Sequence, residues 1–198
     1  MIYIQMRYVK LFEEFIDEAK LLPGVKKIPR GEALSMARDV IKLLGVKYVD
    51  PDDVTTETAF IRDAGIPVGS IRRGSSEVGD VDIVVTAHID TIKLKQSADV
   101  SDVSGGDKQT NFVYSDGKNT RKVNLFSFTD PDTFGAALLH TTGPGNYNMR
   151  IRFLVPKRGF GKLSQLGLFD KKGKVVAGKT EGEVQRALDI TQREPRQR

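Results

Sequence analysis

Two aspartates stand one residue apart at the head of an apolar run in the segment GSIRRGSSEVGDVDIVVT, residues 69–86. Because successive side chains of an extended strand point to opposite faces, Asp80 and Asp82 would share one face while the alternate apolar side chains point to the other. Their Cα atoms would then lie roughly 7 Å apart. Two such carboxylates repel each other unless positive charge lies between them, so the spacing favours a divalent-cation site.

The composition is that of an ordinary globular protein of one domain, or of one domain with a small appendage: 198 residues, 39% apolar and 29% charged. The absence of cysteine excludes a disulfide framework and a thiolate zinc site, and it favours a reducing compartment. The two histidines, His88 and His140, lie far apart, which argues against a histidine metal site. No apolar run reaches membrane-span length and the first residues lack a signal-peptide layout, so we expect no membrane association and a cytoplasmic, nucleoid or nuclear location.

The net charge of +5 is unevenly distributed. Residues 150–198 carry 13 Lys/Arg against 5 Asp/Glu, whereas residues 1–149 carry 18 against 21. A basic C-terminal part suits a polyanion such as nucleic acid, with affinity that falls steeply with salt. The alternative is a solvated surface that keeps the protein dispersed.

Local patterns predict the elements that must position the aspartates. Helical spacing predicts one helix over residues 8–21 and a second over IPRGEALSMARDVIKLLG, with Pro29 near its start and Gly45 at its end. The other expectations are, in chain order, a turn-rich and then helical stretch over 51–65, a mobile loop over 93–110 (with 96–110 its core), a hairpin of NFVY and KVNLFSF around SDGKN, and a helix from Asp132.

Several segments of the sequence resemble segments of a known protein family. GSIRRG and GDVDIVVT resemble the palm signature of the nucleotidyltransferase superfamily, and their Arg-Arg-Gly and Gly-Asp-x-Asp details resemble DNA polymerase family X, the polymerase beta group. KKIPRGEAL resembles the family's helix start, KVNLFSF its third palm strand, FGAALLHTTGPGNYNMRIR its palm-to-thumb junction, and TEGEVQRALDI with Arg193-Glu194-Pro195 its closing thumb segment. The matches keep the same order over residues 28–196.

The resemblance implies an α+β fold. A nucleotidyltransferase palm, with a mixed or antiparallel sheet and helices on one face, would occupy residues 28–142. A small α/β thumb would occupy 143–198, and a short helical segment 1–27. Too little chain precedes the palm for the family's lyase domain and helix-hairpin-helix clamps, as in minimal viral or phage-like members.

The implied activity is template-directed DNA polymerisation. Deoxynucleotides would be added to a primer 3′-hydroxyl on gapped or primer-template DNA, in gap filling, repair or replication. Two Mg²⁺ ions, for which Mn²⁺ would substitute, would be held by Asp80 and Asp82. No obligate protein partner is expected.

The resemblance also assigns roles to other residues. The catalytic set is Asp80, Asp82 and Asn124. The nucleotide-binding set is Arg30, Gly69, Ser70, Arg73, Gly79, His140, Thr141, Gly143 and Asn148. The DNA-binding set is Arg150, Arg152, Lys157, Arg158, Lys162, Lys171, Lys172 and Lys174. For Arg72 we expect a surface charge, and for Asn148 the alternative is a turn or helix cap.

Three positions depart from the family pattern. Asn124 stands where the family has a third catalytic aspartate, and an amide is a poor base, so a loss of around 10²- to 10⁴-fold in rate would follow. Three explanations are open: the chain is a deliberately inactivated form, it is a slow natural enzyme, or Asp130 or Asp132 compensates for the missing carboxylate. We favour the first. His140 and Thr141 replace an aromatic pair beside the sugar, which predicts weak discrimination against ribonucleotides.

Three other functions stay open. A terminal nucleotidyltransferase would share every palm residue and would extend a single strand. A small-molecule or tRNA nucleotidyltransferase would normally lack the TTGPGNYNMRIR junction. A non-enzymatic DNA-end-binding relative would bind gapped DNA and nucleotide without activity, even with aspartate at position 124.

Overall fold

The computed structural model describes residues 26–198, so the helix predicted over residues 8–21 lies outside the described residues. The strands are β1 Ile28–Pro29, β2 Lys47–Tyr48, β3 Ala64–Pro67, β4 Glu77–Val78, β5 Val81–Val85, β6 Val100–Gly106, β7 Gln109–Ser115, β8 Thr120–Ser127, β9 Lys162–Ser164, β10 Gly167–Phe169 and β11 Val175–Ala177. The helices are α1 Arg30–Leu44, α2 Gly69–Arg72, α3 Thr91–Gln96, α4 Phe134–Thr142, α5 Gly145–Leu154 and α6 Glu181–Ala187, with 3₁₀ turns at Pro156–Arg158 and Pro195–Gln197.

A six-stranded mixed sheet in the order β2-β3-β5-β8-β7-β6 forms the centre of the palm. Strands β5 and β8 are parallel neighbours, and β8, β7 and β6 continue as an antiparallel meander. The predicted hairpin of β7 and β8 is therefore present. Its turn is closed by Asp116, whose carboxylate accepts from the backbone N–H groups of Lys118 and Asn119 at 2.8 and 2.6 Å.

Helix α1 has the ends that its sequence predicts. Pro29 precedes it in an extended conformation, and Gly45 ends it with φ of 74°, a left-handed conformation in which glycine is not strained. Its apolar face is fully buried against the sheet and consists of Ala33, Met36, Ala37, Val40 and Ile41. On the strand side the same core contains Val81, Ile83, Val85, Val123 and Leu125.

The opposite face of the sheet is also partly covered. Val84 of β5 and Ile66 of β3 pack against Phe134, Ala137 and Leu138 of α4. Helices therefore lie mainly on one face of the palm, as predicted, while α4 covers the other face near β3.

A separate core lies in the C-terminal part. Strands β9, β10 and β11 form a small antiparallel sheet, and α5 and α6 pack with it around Tyr147, Ile151, Leu168, Val184 and Leu188. The predicted α+β fold, a palm followed by a small α/β unit, is confirmed. Among the helices of residues 26–198, none has both the length and the apolar character that a bilayer crossing needs.

Two local predictions need correction. The stretch at residues 51–63 is turn-rich, as predicted, but the helix predicted in its second part is absent, because side chains such as Asp50 and Thr58 accept hydrogen bonds from nearby backbone N–H groups. The stretch predicted as a mobile loop contains the end of α3, the edge strand β6 and the start of β7. Edge strands carry polar residues because much of their surface meets water, so the composition of β6 resembles that of a loop.

Candidate functional site

The aspartate pair lies at the N-terminal end of β5. Asp82 is the second residue of the strand, and Asp80 lies in the bend that precedes it. Val81 and Ile83 point into the core beneath α1, so Asp82 lies on the opposite face with Val84. The alternation expected from the sequence is therefore present.

Asn124 lies directly beside Asp82. The parallel register of β5 and β8 pairs the two residues, and the Asn124 amide Nδ2 donates to Asp82 Oδ1 at 2.8 Å. Burial raises the pKa of Asp82 to about 6; the Asn124 hydrogen bond opposes this shift and the charge of Asp80 adds to it. Burial likewise raises the pKa of Asp80, with Lys122 and Arg121 opposing. The two carboxylates thus lie in a place that favours a nearby cation.

Gly69 brings the backbone of the turn at residues 69–74 against Asp82. Its φ of 58° is left-handed, and a Cβ atom there would overlap the carboxylate of Asp82. The Val68 N–H donates to the Asp82 carbonyl at 2.8 Å, which fixes the turn to the strand. Ser70 is half-buried in the next position, and Gly79 lies in the bend before Asp80.

Two predicted phosphate-binding arginines flank this turn. Arg30, the first residue of α1, donates through Nε to the Ile71 carbonyl at 2.8 Å and through Nη2 to Asp52 at 2.6 Å. Arg73 is half-buried and donates to the carbonyl oxygen of Thr142. Burial lowers the pKa of Arg73, and the charge of Asp82 opposes that shift.

The prediction that Arg72 is a surface charge is wrong. Its side chain is fully buried and donates to Glu181 at 2.6 Å, to the Thr142 hydroxyl at 2.7 Å and to the Val54 carbonyl at 3.0 Å. Glu181 also accepts from Arg198 at 2.8 Å. Burial works against ionisation, but the two guanidinium groups hold the pKa of Glu181 below its usual value.

His140, Asn148 and Arg152 meet on the thumb side. Arg152 Nη2 lies 2.8 Å from His140 Nδ1, and the Asn148 amide donates to the His140 carbonyl at 2.8 Å. Burial, together with the charge of Arg152, lowers the pKa of His140 to about 4, so the imidazole is neutral. Since arginine only donates, Nδ1 accepts and the proton lies on Nε2.

Asn148 is neither a turn residue nor a helix cap, since it lies inside α5 and is 4% exposed. Its Oδ1 has no hydrogen-bond partner among the described residues. An open depression of about 200 Å³ adjoins it and is also lined by Leu163 and Ser164. Thr141 donates back to the Ala137 carbonyl at 2.8 Å, and Gly143 has φ of 64°.

The predicted DNA-binding residues are mostly exposed. The exposed members are Arg150, Lys157, Arg158, Lys162, Lys171, Lys172 and Lys174. Arg152 is the exception: it is half-buried against His140. Arg158 pairs with Asp189 at 3.2 Å, and Lys162 lies 4.6 Å from the ring centroid of Phe169.

Several contacts at the site were not expected from the sequence. Asp52 pairs with both Arg30 and Arg196, and Glu181 pairs with both Arg72 and Arg198. The acidic turn DPDD, which contains Asp52, is a weak sequence signal for such a contact. No local sequence pattern indicates the contacts of Glu181. Asp130 and Asp132 lie beyond the other end of β8, where Asp132 pairs with Lys179 at 3.4 Å.

The chain is similar to known proteins in two respects. Residues 137–198 match the family model described as DNA polymerase beta thumb. The repair DNA polymerase X of African swine fever virus, isolate Tick/South Africa/Pretoriuskop Pr4/1996, is 33% identical over 142 residues, which cover 67% of this chain and 80% of the viral protein. The same protein from isolate Warthog/Namibia/Wart80/1980 is 32% identical over the same shares.

A sheet that carries paired carboxylates under a glycine turn, joined to a polymerase beta thumb, defines a polymerase of the nucleotidyltransferase type. The chain belongs to DNA polymerase family X.

Proposed function

We propose that this chain is a repair DNA polymerase that fills gaps by adding deoxynucleotides to a primer 3′-hydroxyl under the direction of a template. The observation that carries this is the juxtaposition of Asp82 and Asn124 on neighbouring parallel strands, directly below the Gly69 turn. The viral relatives carry the printed name repair DNA polymerase X. Such an enzyme acts in the compartment that contains the DNA.

The donor set at Asp80 and Asp82 fits Mg²⁺. Magnesium takes one or two carboxylates from the protein and obtains its other ligands from water and substrate phosphate. Within residues 26–198, no third His, Asp or Glu joins the pair in a metal-binding cluster. When bound, two ions would activate the primer hydroxyl and neutralise the triphosphate and the departing pyrophosphate. Mn²⁺ has the same oxygen preference and would substitute.

The residues around the turn would bind the triphosphate. A hydroxyl at Ser70 and backbone N–H groups near Gly69 and Gly79 allow close approach, and Arg30 and Arg73 supply planar donors for phosphate oxygens. Their positions beside the turn support these roles.

The thumb side would hold the sugar, the base and the DNA. His140, Thr141 and Gly143 would border the sugar, and Asn148 would face the base. The exposed basic residues named above would contact phosphates of the duplex, and Arg150 and Arg152 would contact the template strand. We place the palm at residues 28–142 and the thumb at 143–198.

Asn124 would impair the enzyme. In this structure its amide group donates a hydrogen bond to Asp82. A cation would need an oxygen ligand at this position, and a primer hydroxyl would need a base. Its amide cannot take up the hydroxyl proton, so a loss of around 10²- to 10⁴-fold in rate is expected. Asp130 and Asp132 are exposed beyond the far end of β8, which disfavours compensation by either.

Primer extension on a one-nucleotide gap with Mg²⁺ tests the proposal, comparing the chain with Asn124→Asp at several salt concentrations. We expect the aspartate form to add the templated nucleotide about 10²- to 10⁴-fold faster. Asn146→Asp, at an exposed position in the first turn of α5, is the matched control and should change nothing. A preference above about 10³-fold for deoxy- over ribonucleotide would contradict the expected tolerance of ribonucleotides.

The second candidate is a non-catalytic DNA-end-binding protein, which the Asn124 bond to Asp82 favours. If both forms bind gapped DNA and stay inert, this reading replaces the polymerase. Extension of a single strand without template would instead indicate a terminal nucleotidyltransferase.

A further inference from the structure

The C-terminal tail lies against the turn at residues 69–74. Glu194 accepts from the Thr56 N–H and hydroxyl at 3.0 and 2.7 Å, and the following Pro195 is buried. Gly74 at the end of the turn has φ of 75°, and a Cβ atom there would lie 3.1 Å from Nε of Arg196. Arg196 is therefore held beside the turn that begins at Gly69.

Arg196 and Arg30 converge on one oxygen atom. Asp52 Oδ1 accepts a hydrogen bond from Arg30 Nη2 at 2.6 Å and forms an ion pair with Arg196 Nη2 at 2.8 Å. The side chains of Arg30, Arg196 and Asp52 are 20%, 60% and 40% exposed, so the group is open to a ligand. A second bond, from Arg30 Nε to the Ile71 carbonyl, fixes Arg30 to the turn itself.

The two guanidinium groups share one carboxylate of the acidic turn at residues 50–53. Burial works to raise the pKa of Asp52, but the two guanidinium groups hold it below its usual value. Each guanidinium has five N–H donors, and Asp52 occupies one nitrogen of each. A phosphate group accepts hydrogen bonds from such guanidinium forks.

We propose that Arg196 acts with Arg30 as a clamp for the terminal phosphate of the nucleotide, while Asp52 positions the two guanidinium groups. The clamp rests on the proposed nucleotide site at Ser70 and Arg73. It makes the tail a part of substrate recognition, and it selects a nucleoside triphosphate over a diphosphate.

The test is the binding of dATP and of dADP, each with Mg²⁺, to the full chain by isothermal titration calorimetry. In Arg196→Gln we expect the affinity for dATP to fall roughly three- to tenfold and that for dADP to stay unchanged. Arg196→Lys should keep part of the preference, since lysine keeps the charge but loses the fork.

Arg186→Gln is the matched control. Arg186 is a 56% exposed arginine that also pairs with an acidic residue of the palm, Glu57, so its loss removes a similar ion pair from the same region. We expect it to leave both affinities unchanged.

Each result decides the matter. If Arg196→Gln binds dATP as tightly as the parent chain does, the clamp is overturned. An equal loss of affinity for dATP and dADP also overturns it, because such a loss marks a structural role. A parent chain that binds neither nucleotide overturns the proposed nucleotide site, and the clamp with it.

Discussion

At the scale of single residues, burial controls the chemistry of the site. It raises the pKa values of Asp80 and Asp82, and it lowers those of Arg73 and His140. Asn124 offers Asp82 a hydrogen-bond donor and adds no negative charge beside it. An amide at this position therefore suits the metal-free protein.

His140 predicts a pH dependence of stability. Its pKa is about 4 in the folded chain and about 6.5 when unfolded, so between these values only the unfolded chain takes up a proton. Stability contributed by His140 is therefore lost as the pH falls from about 6.5 towards 4. Since the side chain is only half-buried, we expect about 1–2 kcal/mol.

Urea unfolding of the parent and of His140→Gln at pH 7 and 4.5 measures this. Asp82, with its raised pKa, contributes the opposite slope below about pH 6, but equally in both proteins. The difference in free energy of unfolding between the parent and His140→Gln should change by about 1–2 kcal/mol between pH 7 and pH 4.5. Parallel pH profiles would contradict the prediction.

At the scale of elements, the Gly69 turn determines how closely backbone approaches the carboxylates. Helix α2 has only four residues, and its geometry depends on a left-handed glycine and on the Val68 bond to β5. By contrast, α1 and the β7–β8 hairpin follow their local sequence signals closely, because their ends carry Gly45 and the Asp116 turn.

Gly69→Ala and Gly31→Ala should have opposite effects. The first adds a Cβ that overlaps Asp82 in a left-handed conformation, and we expect a loss of about 1–3 kcal/mol in stability together with loss of nucleotide binding. The second adds a Cβ with no atom within 4 Å on a helix, and it should gain about 0.5–1 kcal/mol. Thermal denaturation checks both; equal effects would refute the overlap.

At the scale of the whole molecule, one buried ion cluster ties the two parts together. Arg72 comes from the turn at residues 69–74 of the palm, Glu181 from the first position of α6, and Arg198 from the C-terminus. Both side chains of each pair are fully buried. The turn and the thumb therefore depend on each other for their positions.

Glu181→Gln should destabilise the protein by about 3–5 kcal/mol, because it leaves two buried guanidinium groups without a counter-charge. Glu57→Gln removes the same charge from an exposed pair with Arg186 and should cost at most about 1 kcal/mol. Urea unfolding compares the two variants. Similar losses would show that the cluster contributes no more than a surface pair.

The basic thumb predicts a salt dependence of DNA binding. Lys172 is exposed in the turn between β10 and β11. If it contacts a phosphate, Lys172→Gln should lower the slope of log affinity against log salt by about one. Fluorescence anisotropy with a gapped duplex measures the slope, and Lys47→Gln, at the outer edge strand of the palm, is the control. If Lys172→Gln and Lys47→Gln give the same slope of log affinity against log salt, Lys172 does not contact the DNA.

Local sequence alone was sufficient for the alternation of Asp82 with the core side chains of β5, for helix α1 and for the hairpin of β7 and β8, because residues close in the chain form these features. Asp80, expected on the same strand face, lies in the bend before the strand. The family resemblance, which the comparisons confirm, supplied the palm and the thumb. The partners of Arg72, the edge strand β6 and the junction of Asp52 with Arg196 emerged only from the folded chain. Glu181 lies 109 residues from Arg72, and no local pattern encodes such a contact, since its energy arises only when burial brings the two charges together.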